Sequence, residues 1–549
     1  MRRRDEKPAG RARASRPPRA REAESVEAAI TRLFADSERW LAPSNRLPSE
    51  IARHLAAFLR EGGKPGSPPL EGRLGDFADP HIPEDPRPAE AFFEFLLEEI
   101  VPSAVKTSSP SFIGHMTSAL PGYVFSMSQI LAVLNQNIVK VETSGVLTLY
   151  ERQALAMLHR LVFSGTDAFY AEHTQRTEST LGMMVSGGTL GNLAAIWCAR
   201  NAALGPGPGR EGVDQRGLAV ALRERGYERA VLVGSTMMHF SAGKSADILG
   251  LGEDSVVRVP VDRRGRMDAD EVARALELCK RRGERVVALI GLAGSTELGS
   301  IDPLDELAAV AREFAVHLHV DAAWGGPVLF SEKHRHKLAG IEKADSVVID
   351  GHKQLYLPVG LGTVLFRDPE LARGIEKVAN YVVRASSRDL GKRTLEGSRP
   401  ALSLYVHAAL AIVGRRGFEW LIDEGMRRTE AMRQHILARP ELELLAEPEL
   451  NLLCYRYLPA SERGRVGRGG PQGPDNARVN EVNRRLQELQ FADGTGFVSR
   501  TLLSHTPYGA DPPIVALRVV LANPMTTVAH IEAVLDEQIR LAGEIEAGL

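Results

Sequence analysis

A lysine beside a histidine, set between two apolar runs, is the pair in this chain best suited to covalent chemistry. The pair is His352–Lys353 in DGHKQLYLPVGLG (350–362), with SVVID leading into it and GTVLF following from its last residue. Both flanking runs are rich in β-branched residues and predict short buried strands. An ammonium so close to a core is costly unless it is ion-paired, neutral or covalently engaged. A lysine that only snorkels or binds a phosphate is the plain alternative. Partners from other strand ends decide between them.

Four further segments place polar residues just after an apolar run. HVDAAWGG (319–326) closes a strand with Asp321 and continues in small residues that let a flat ligand approach the backbone. A buried carboxylate there can hold a proton on a heteroaromatic nitrogen, whereas its plain role is to cap the next element. VSGGTLGNLAAIW (185–197) is a Gly-rich turn in which Gly188 and Thr189 lead into an apolar-faced helix. The free N–H groups and dipole of such a helix start suit a phosphate, and the missing GK[ST] ending excludes a Walker A loop. His239 follows RAVLVGS, and Ser295 and Thr296 follow RVVALIGLAG. Each of these alone is as readily structural.

The elements that must position these residues follow from periodicity. Between about 180 and 366, RAVLVGS, SVVRVPV, RVVALIGLAG, VHLHVDA, SVVID and GTVLF are strand candidates. Amphipathic stretches such as DADEVARALELCKRRG and PLDELAAVAREF lie between several of them. The alternation predicts a mostly parallel α/β sheet, whose ligands sit beyond the carboxyl ends of the strands. Each polar residue above falls there. Beyond Gly414 a smaller α/β lobe is predicted, with a long helix at GFEWLIDEGMRRTEAMRQHI, strands LNLLCYRYL and IVALRVVLAN, and helices near NARVNEVNRRLQELQ and at the end. The predicted divisions are a basic tail (1–22), a helical segment (23–105, with a Pro/Gly-rich stretch at 61–88), a large domain (106–400) and a small one (401–549). Apolar helices through 128–163 are able to build an interface. LGPGPGREGVDQRG and SERGRVGRGGPQGPDN read as solvated loop insertions.

Composition narrows the class. With 549 residues, 44% hydrophobic, 25% charged and a net charge of -2, nothing global points to nucleic acid as a partner. No run approaches the roughly 20 apolar residues that span a bilayer. Cys198, Cys279 and Cys454 lack metal spacing, and a sparse, odd count suits a reducing cytoplasm. The arginine-rich start has no apolar core for a secretory signal and reads as a disordered tail, with a polyanion-binding arm as the alternative.

Taken in order, the Gly-rich turn, His239, Ser295–Thr296, Asp321 and His352–Lys353 resemble the group II pyridoxal-phosphate-dependent amino-acid decarboxylases. The resemblance covers roughly residues 90–540, and HVDAA with HK is its most specific part. It implies PLP-dependent transferase fold type I, with a large seven-stranded sheet, a small C-terminal domain and a homodimer with shared active sites. It also implies the catalytic set: Lys353 bonded to pyridoxal 5'-phosphate, Asp321 on the pyridine nitrogen and His239 stacked on the ring. Gly188, Thr189 and His352 match phosphate-side positions, Thr296 lies near the phenolic oxygen, and Ala323 packs under the ring. Ser398, with Arg399, falls in a loop that approaches the phosphate of the neighbouring subunit. Arg518 in VALRVVLANP matches the arginine that takes the substrate α-carboxylate, a task a guanidinium fork suits. His115 in FIGHMTS matches a substrate-side position, and no metal is implied.

One departure stands out. The family's mobile loop usually carries a tyrosine proposed to protonate the product carbanion, but VVRASSRDLGKRTLEGSRP has none, and Tyr381 precedes it. His239, Lys353 or water is then the proton source. IDGHKQLYLPVG, this loop and EGSRP are most similar to the bacterial aspartate 1-decarboxylases, which make β-alanine for pantothenate. Glutamate or cysteine sulfinate is the alternative substrate. A PLP-dependent aminotransferase or carbon–sulfur lyase would share Asp321 and Lys353, and a non-enzymatic protein could retain the cofactor for interaction alone.

Overall fold

The computed structural model describes residues 25–35, 41–42, 45–60, 70–378, 387–467, 472–493, 495–504 and 512–548. The predicted basic tail and Tyr381 lie outside the described residues. The chain forms two compact units, Met1–Glu61 with Pro68–Ala104, and Gly62–Ser67 with Val105–Leu549. The first contains the helices Val26–Ala35, Arg46–Arg60 and Ala89–Phe95.

The second unit is built on a seven-stranded sheet of β1 (Gly182–Val185), β2 (Arg229–Ser235), β3 (Val256–Val259), β4 (Glu284–Leu292), β5 (His317–Asp321), β6 (Ser346–Asp350) and β7 (Gly362–Phe366), in the order β1-β7-β6-β5-β4-β2-β3. Pairings among β3, β2, β4, β5 and β6 are parallel, and β7 runs antiparallel to both β6 and β1. Every residue of SVVID and GTVLF is buried, as expected for strands covered on both faces. β1, GMMV, escapes the pattern reading because four buried residues with two methionines carry little β signal. It is fixed instead by pairing with β7, Gly182 opposite Leu365. The helix Gly188–Ala203 follows β1 directly and buries Leu193, Ala194, Ala195, Ile196 and Cys198.

A second, antiparallel sheet has the order β10-β11-β9-β8, formed from β8 (Leu442–Leu444), β9 (Leu452–Tyr457), β10 (Ser499–Leu503) and β11 (Ile514–Val520). Helices Gly414–Leu437, Asn476–Asp493 and Val528–Ala547 accompany it, the last opened by a Thr527–His530 capping box. β8 and β10 were not legible in the pattern: one has three residues, and the other alternates as an edge strand does. Among the described residues no helix is long and apolar enough to cross a membrane, and no cluster of three His, Cys, Asp or Glu could hold a metal ion.

Candidate active site

The parallel strands β2, β4, β5 and β6 all run the same way, so the residues that follow them collect at one sheet edge. A cavity of about 390 Å³ opens there. Its lining includes Gly188, Thr189, His239, Thr296, Asp321, Ala323, His352 and Lys353, joined by His115 and Arg518. With Ser295, which also lines it, eleven of the residues singled out in the sequence are thus brought together. Ser398 is not among them: it is exposed in the single chain, and its Oγ accepts from Asn137 Nδ2 at 3.2 Å. Arg399 is buried and forms a two-pronged ion pair with Glu151, Nη1 to Oε2 at 2.9 Å.

Asp321 ends β5 with both oxygens engaged. Oδ1 accepts the Ala323 N–H at 3.1 Å, and Oδ2 accepts Asn192 Nδ2 at 2.8 Å. Asn192 is a hub that the sequence reading missed. The same Nδ2 donates to Ser241 Oγ at 3.0 Å, and Oδ1 lies 2.9 Å from His319 Nε2, which must therefore carry the proton. His319 Nδ1 then accepts from Ser346 Oγ at 2.8 Å. Burial holds the His319 imidazolium down to about 4, so the ring is neutral and the chain of bonds keeps one polarity. A single asparagine immediately before the apolar run LAAIW (193–197) was the available signal.

Two histidines share one local geometry. The Ser241 N–H reaches His239 Nδ1 at 3.3 Å, and the Thr117 N–H reaches His115 Nδ1 at 3.3 Å, each from two residues on. A backbone N–H can only donate, so both rings carry their proton on Nε2. Burial lowers the basicity of His239, and Lys353 and Lys244 add to this while Asp321 and Asp350 oppose it. His115 retains solvent access, yet surrounding protein lowers its basicity first, followed by the charges of Arg518, Lys353 and His352.

Lys353 Nζ lies 3.1 Å from Asp350 Oδ2, and His352 Nε2 lies 3.8 Å from the same oxygen. His352 Nδ1 donates to the Leu361 carbonyl at 2.8 Å. Asp350, at 2% exposure, was read from sequence only as the last residue of a strand. Arg518 projects from fully buried β11. Its Nε donates to the Thr296 carbonyl at 2.6 Å, and Nη1 to the Gly114 carbonyl and Ser499 Oγ at 3.4 and 3.3 Å.

A parallel sheet whose strand ends gather a lysine, a carboxylate facing a cavity and a glycine-opened helix start defines a class, and comparison with known proteins gives the same one. The sequence model of the pyridoxal-dependent decarboxylase conserved domain matches residues 72–458, and the chain belongs to that family. It is a PLP-dependent amino-acid decarboxylase of fold type I. The aspartate 1-decarboxylase of Aliivibrio fischeri is 40% identical over 522 residues, 95% of each chain. The cysteine sulfinic acid decarboxylase of Rattus norvegicus is 31% identical over 81% of this chain and 85% of its own. The crystal structure of mouse CSAD superposes with a TM-score of 0.77 at 27% identity, covering 91% of this chain and 99% of the other.

The residues present fit pyridoxal 5'-phosphate. The cavity falls in the range of small-molecule sites. The first N–H groups of the Gly188–Ala203 helix have no partner inside the helix, and Gly187 opens the turn at φ 103°, a conformation that favours glycine. Asp321 offers an anchored carboxylate, Lys353 a primary amine, and Ala323 a small side chain beside them.

Proposed function

We propose that this enzyme removes the α-carboxylate of L-aspartate to give β-alanine and CO₂. The observation that carries the substrate is the 40% identity to an aspartate 1-decarboxylase across 95% of both chains. The cavity supports an acidic amino acid, because it holds a guanidinium and a neutral imidazole donor for two carboxylates. In this reading Lys353 carries the cofactor, Asp321 meets the ring nitrogen, and Gly188, Thr189 and His352 lie on the phosphate side. Bound PLP supplies an electron sink for the pair released when the bond to the carboxylate breaks.

The protein's own residues do the rest. Arg518, held by the Thr296 and Gly114 carbonyls, orients the α-carboxylate. His115 donates from Nε2 to the side-chain carboxylate. With no tyrosine in the described part of the 382–400 loop, His239 and Lys353 are the groups that return a proton to Cα. Ser398 serves the neighbouring subunit's phosphate. A homodimer is supported by the exposed apolar residues Phe125, Ile130, Val133 and Val146 on the helices Tyr123–Leu134 and Val146–Phe163. Three buried free cysteines suit a reducing cytoplasm.

Product analysis with aspartate, glutamate and cysteine sulfinate offered in parallel tests the reading. β-Alanine from aspartate in excess of the other two products supports it. Preferential turnover of glutamate or cysteine sulfinate would reassign the substrate, and a keto acid in place of CO₂ would reassign the reaction. His115→Ala is expected to raise KM for the preferred acid, and an unchanged KM would remove His115 from the substrate side.

A further inference from the structure

Asp350 is a second carboxylate in this cavity, more deeply buried than Asp321, and the roles described so far do not use it. It packs directly on the start of the Gly188–Ala203 helix. A Cβ placed on Gly188 would lie 2.8 Å from Oδ2 and 3.2 Å from Oδ1, and one placed on Gly362 would lie 2.6 Å from Oδ1. Glycines therefore leave room for the carboxyl group and fix where it sits. A carboxylate at a helix start ordinarily captures the free N–H groups. Asp350 does not: among the described residues the ion-pair partners of Oδ2 are Lys353 and His352, and Oδ1 is buried with no hydrogen-bond partner.

The helix start thus stays open to another anion, while a carboxyl group stands against its first residue. Two anions held this close in a buried place cannot both remain charged without strong repulsion. A proton between them converts the repulsion into a charge-assisted hydrogen bond. We propose that Asp350 binds a proton when the cofactor is held and donates it, as a carboxylic acid, to the cofactor's phosphate at the Gly188–Thr189 turn. This rests on the reading that the turn receives the phosphate. The proton comes from solvent, an O–H bond forms on Asp350, and no bond between heavy atoms changes in this step. Burial favours the neutral acid and Lys353 opposes it. The titratable groups facing Asp350 are Lys353 and His352 beyond the same strand, Asp321 from β5 and His239 after β2, while the helix start and β7 present glycines.

The test is equilibrium binding of PLP, and separately of pyridoxal, which lacks the phosphate, to the full-length chain across a pH series. Wild type is expected to prefer PLP, and its affinity should fall by up to about tenfold per pH unit once the shared proton is lost. Asp350→Asn keeps a donor that cannot ionise, so that part of the PLP slope should vanish while the pyridoxal slopes stay alike. Equal PLP slopes in the two proteins would overturn the proposal, as would a slope lost equally for pyridoxal. A wild type with no preference for PLP over pyridoxal would instead defeat the phosphate reading of the turn, and the proposal with it. Infrared difference spectra of wild type labelled with ¹³C at its aspartate carboxyls need no variant to fold. A protonated aspartate band that appears on loading with PLP but not with pyridoxal supports the proposal, and its absence refutes it.

Discussion

Replacing Asn192 separates what holds the fold from what holds the cofactor. Its amide donates to Asp321 and to Ser241, and its carbonyl takes the His319 proton. Asn192→Leu removes all three bonds at similar volume. The donor to a charged group is worth about 1.5–3 kcal/mol, the Ser241 bond about 1, and the stranded His319 N–H costs about 1–3 more. Asn192→Asp keeps the acceptor for His319 but replaces the amide donor with an oxygen 2.8 Å from Asp321 Oδ2. Two carboxyl groups at that distance share a proton, so Asp321 is no longer free to hold the ring nitrogen as a full charge. The leucine variant should lose several degrees of Tm together with cofactor affinity. The aspartate variant should retain more of the Tm yet bind PLP roughly 10- to 150-fold more weakly, the factor that corresponds to the lost charged bond. Thermal melts with and without PLP, and pH titration of the cofactor's absorbance, read the two effects apart. An aspartate variant with wild-type PLP affinity and an unshifted absorbance titration would refute the reasoning.

Arg518→Lys loses the Nε and Nη1 anchors to Thr296 and Gly114 and the planar fork, so steady-state kinetics should show kcat/KM for aspartate down by roughly 10- to 150-fold with the fold intact. Glu151→Gln leaves the Arg399 guanidinium buried without its counter-charge. Chemical denaturation should find about 3–5 kcal/mol lost, with part regained in the double change Glu151→Leu, Arg399→Met. Asp302 is almost fully buried and its carboxyl is pushed up to about 7, burial being the main cause. The native state therefore binds more protons than the unfolded chain from the ordinary carboxyl range up to about pH 7. This group's contribution falls through that window, by up to about 1.4 kcal/mol per pH unit. The stability of wild type minus that of Asp302→Asn should decline from pH 5 to 7, and a flat difference would contradict the assignment. Gly362→Ala brings a methyl within 2.9 Å of Gly187 backbone as well as onto Asp350, whereas Gly188→Ala meets only the Asp350 side chain at such range. PLP titration should find Gly362→Ala the more damaging of the two.

Most of the sheet was legible because its strands are apolar runs that end abruptly on polar residues. RAVLVGS, SVVID and GTVLF coincide with β2, β6 and β7. Asp321, His239 and Lys353 could be found because each lies just past such a run, where topology gathers ligands. Asn192 could not be found that way, since it sits on the second turn of a helix and its partners are 49 to 129 residues away in sequence. Asp350 was hidden by its own regularity as the terminal residue of a strand. β1 and β8 are short, and tertiary pairing alone specifies them. The reach of Arg518 from the second sheet into the cavity was suggested by family likeness alone, because period-2 burial says nothing about which way a buried arginine turns.

The inward nitrogens of His239 and His115 have a consequence for where hydrogen in the product originates. An amide hydrogen stays on its nitrogen during turnover, and the hydroxyl behind His239 leads only to the Asn192 amide. The His239 imidazole is therefore closed at the rear, whereas Nδ1 of the exposed His115 also meets the Thr117 hydroxyl at 2.9 Å. Once His239 gives up its outer proton it regains one through the mouth of the cavity. Among the described residues, nothing behind that ring stores a hydrogen from one cycle to the next. A reaction run in heavy water should place deuterium at the reprotonated carbon from the first turnover onward.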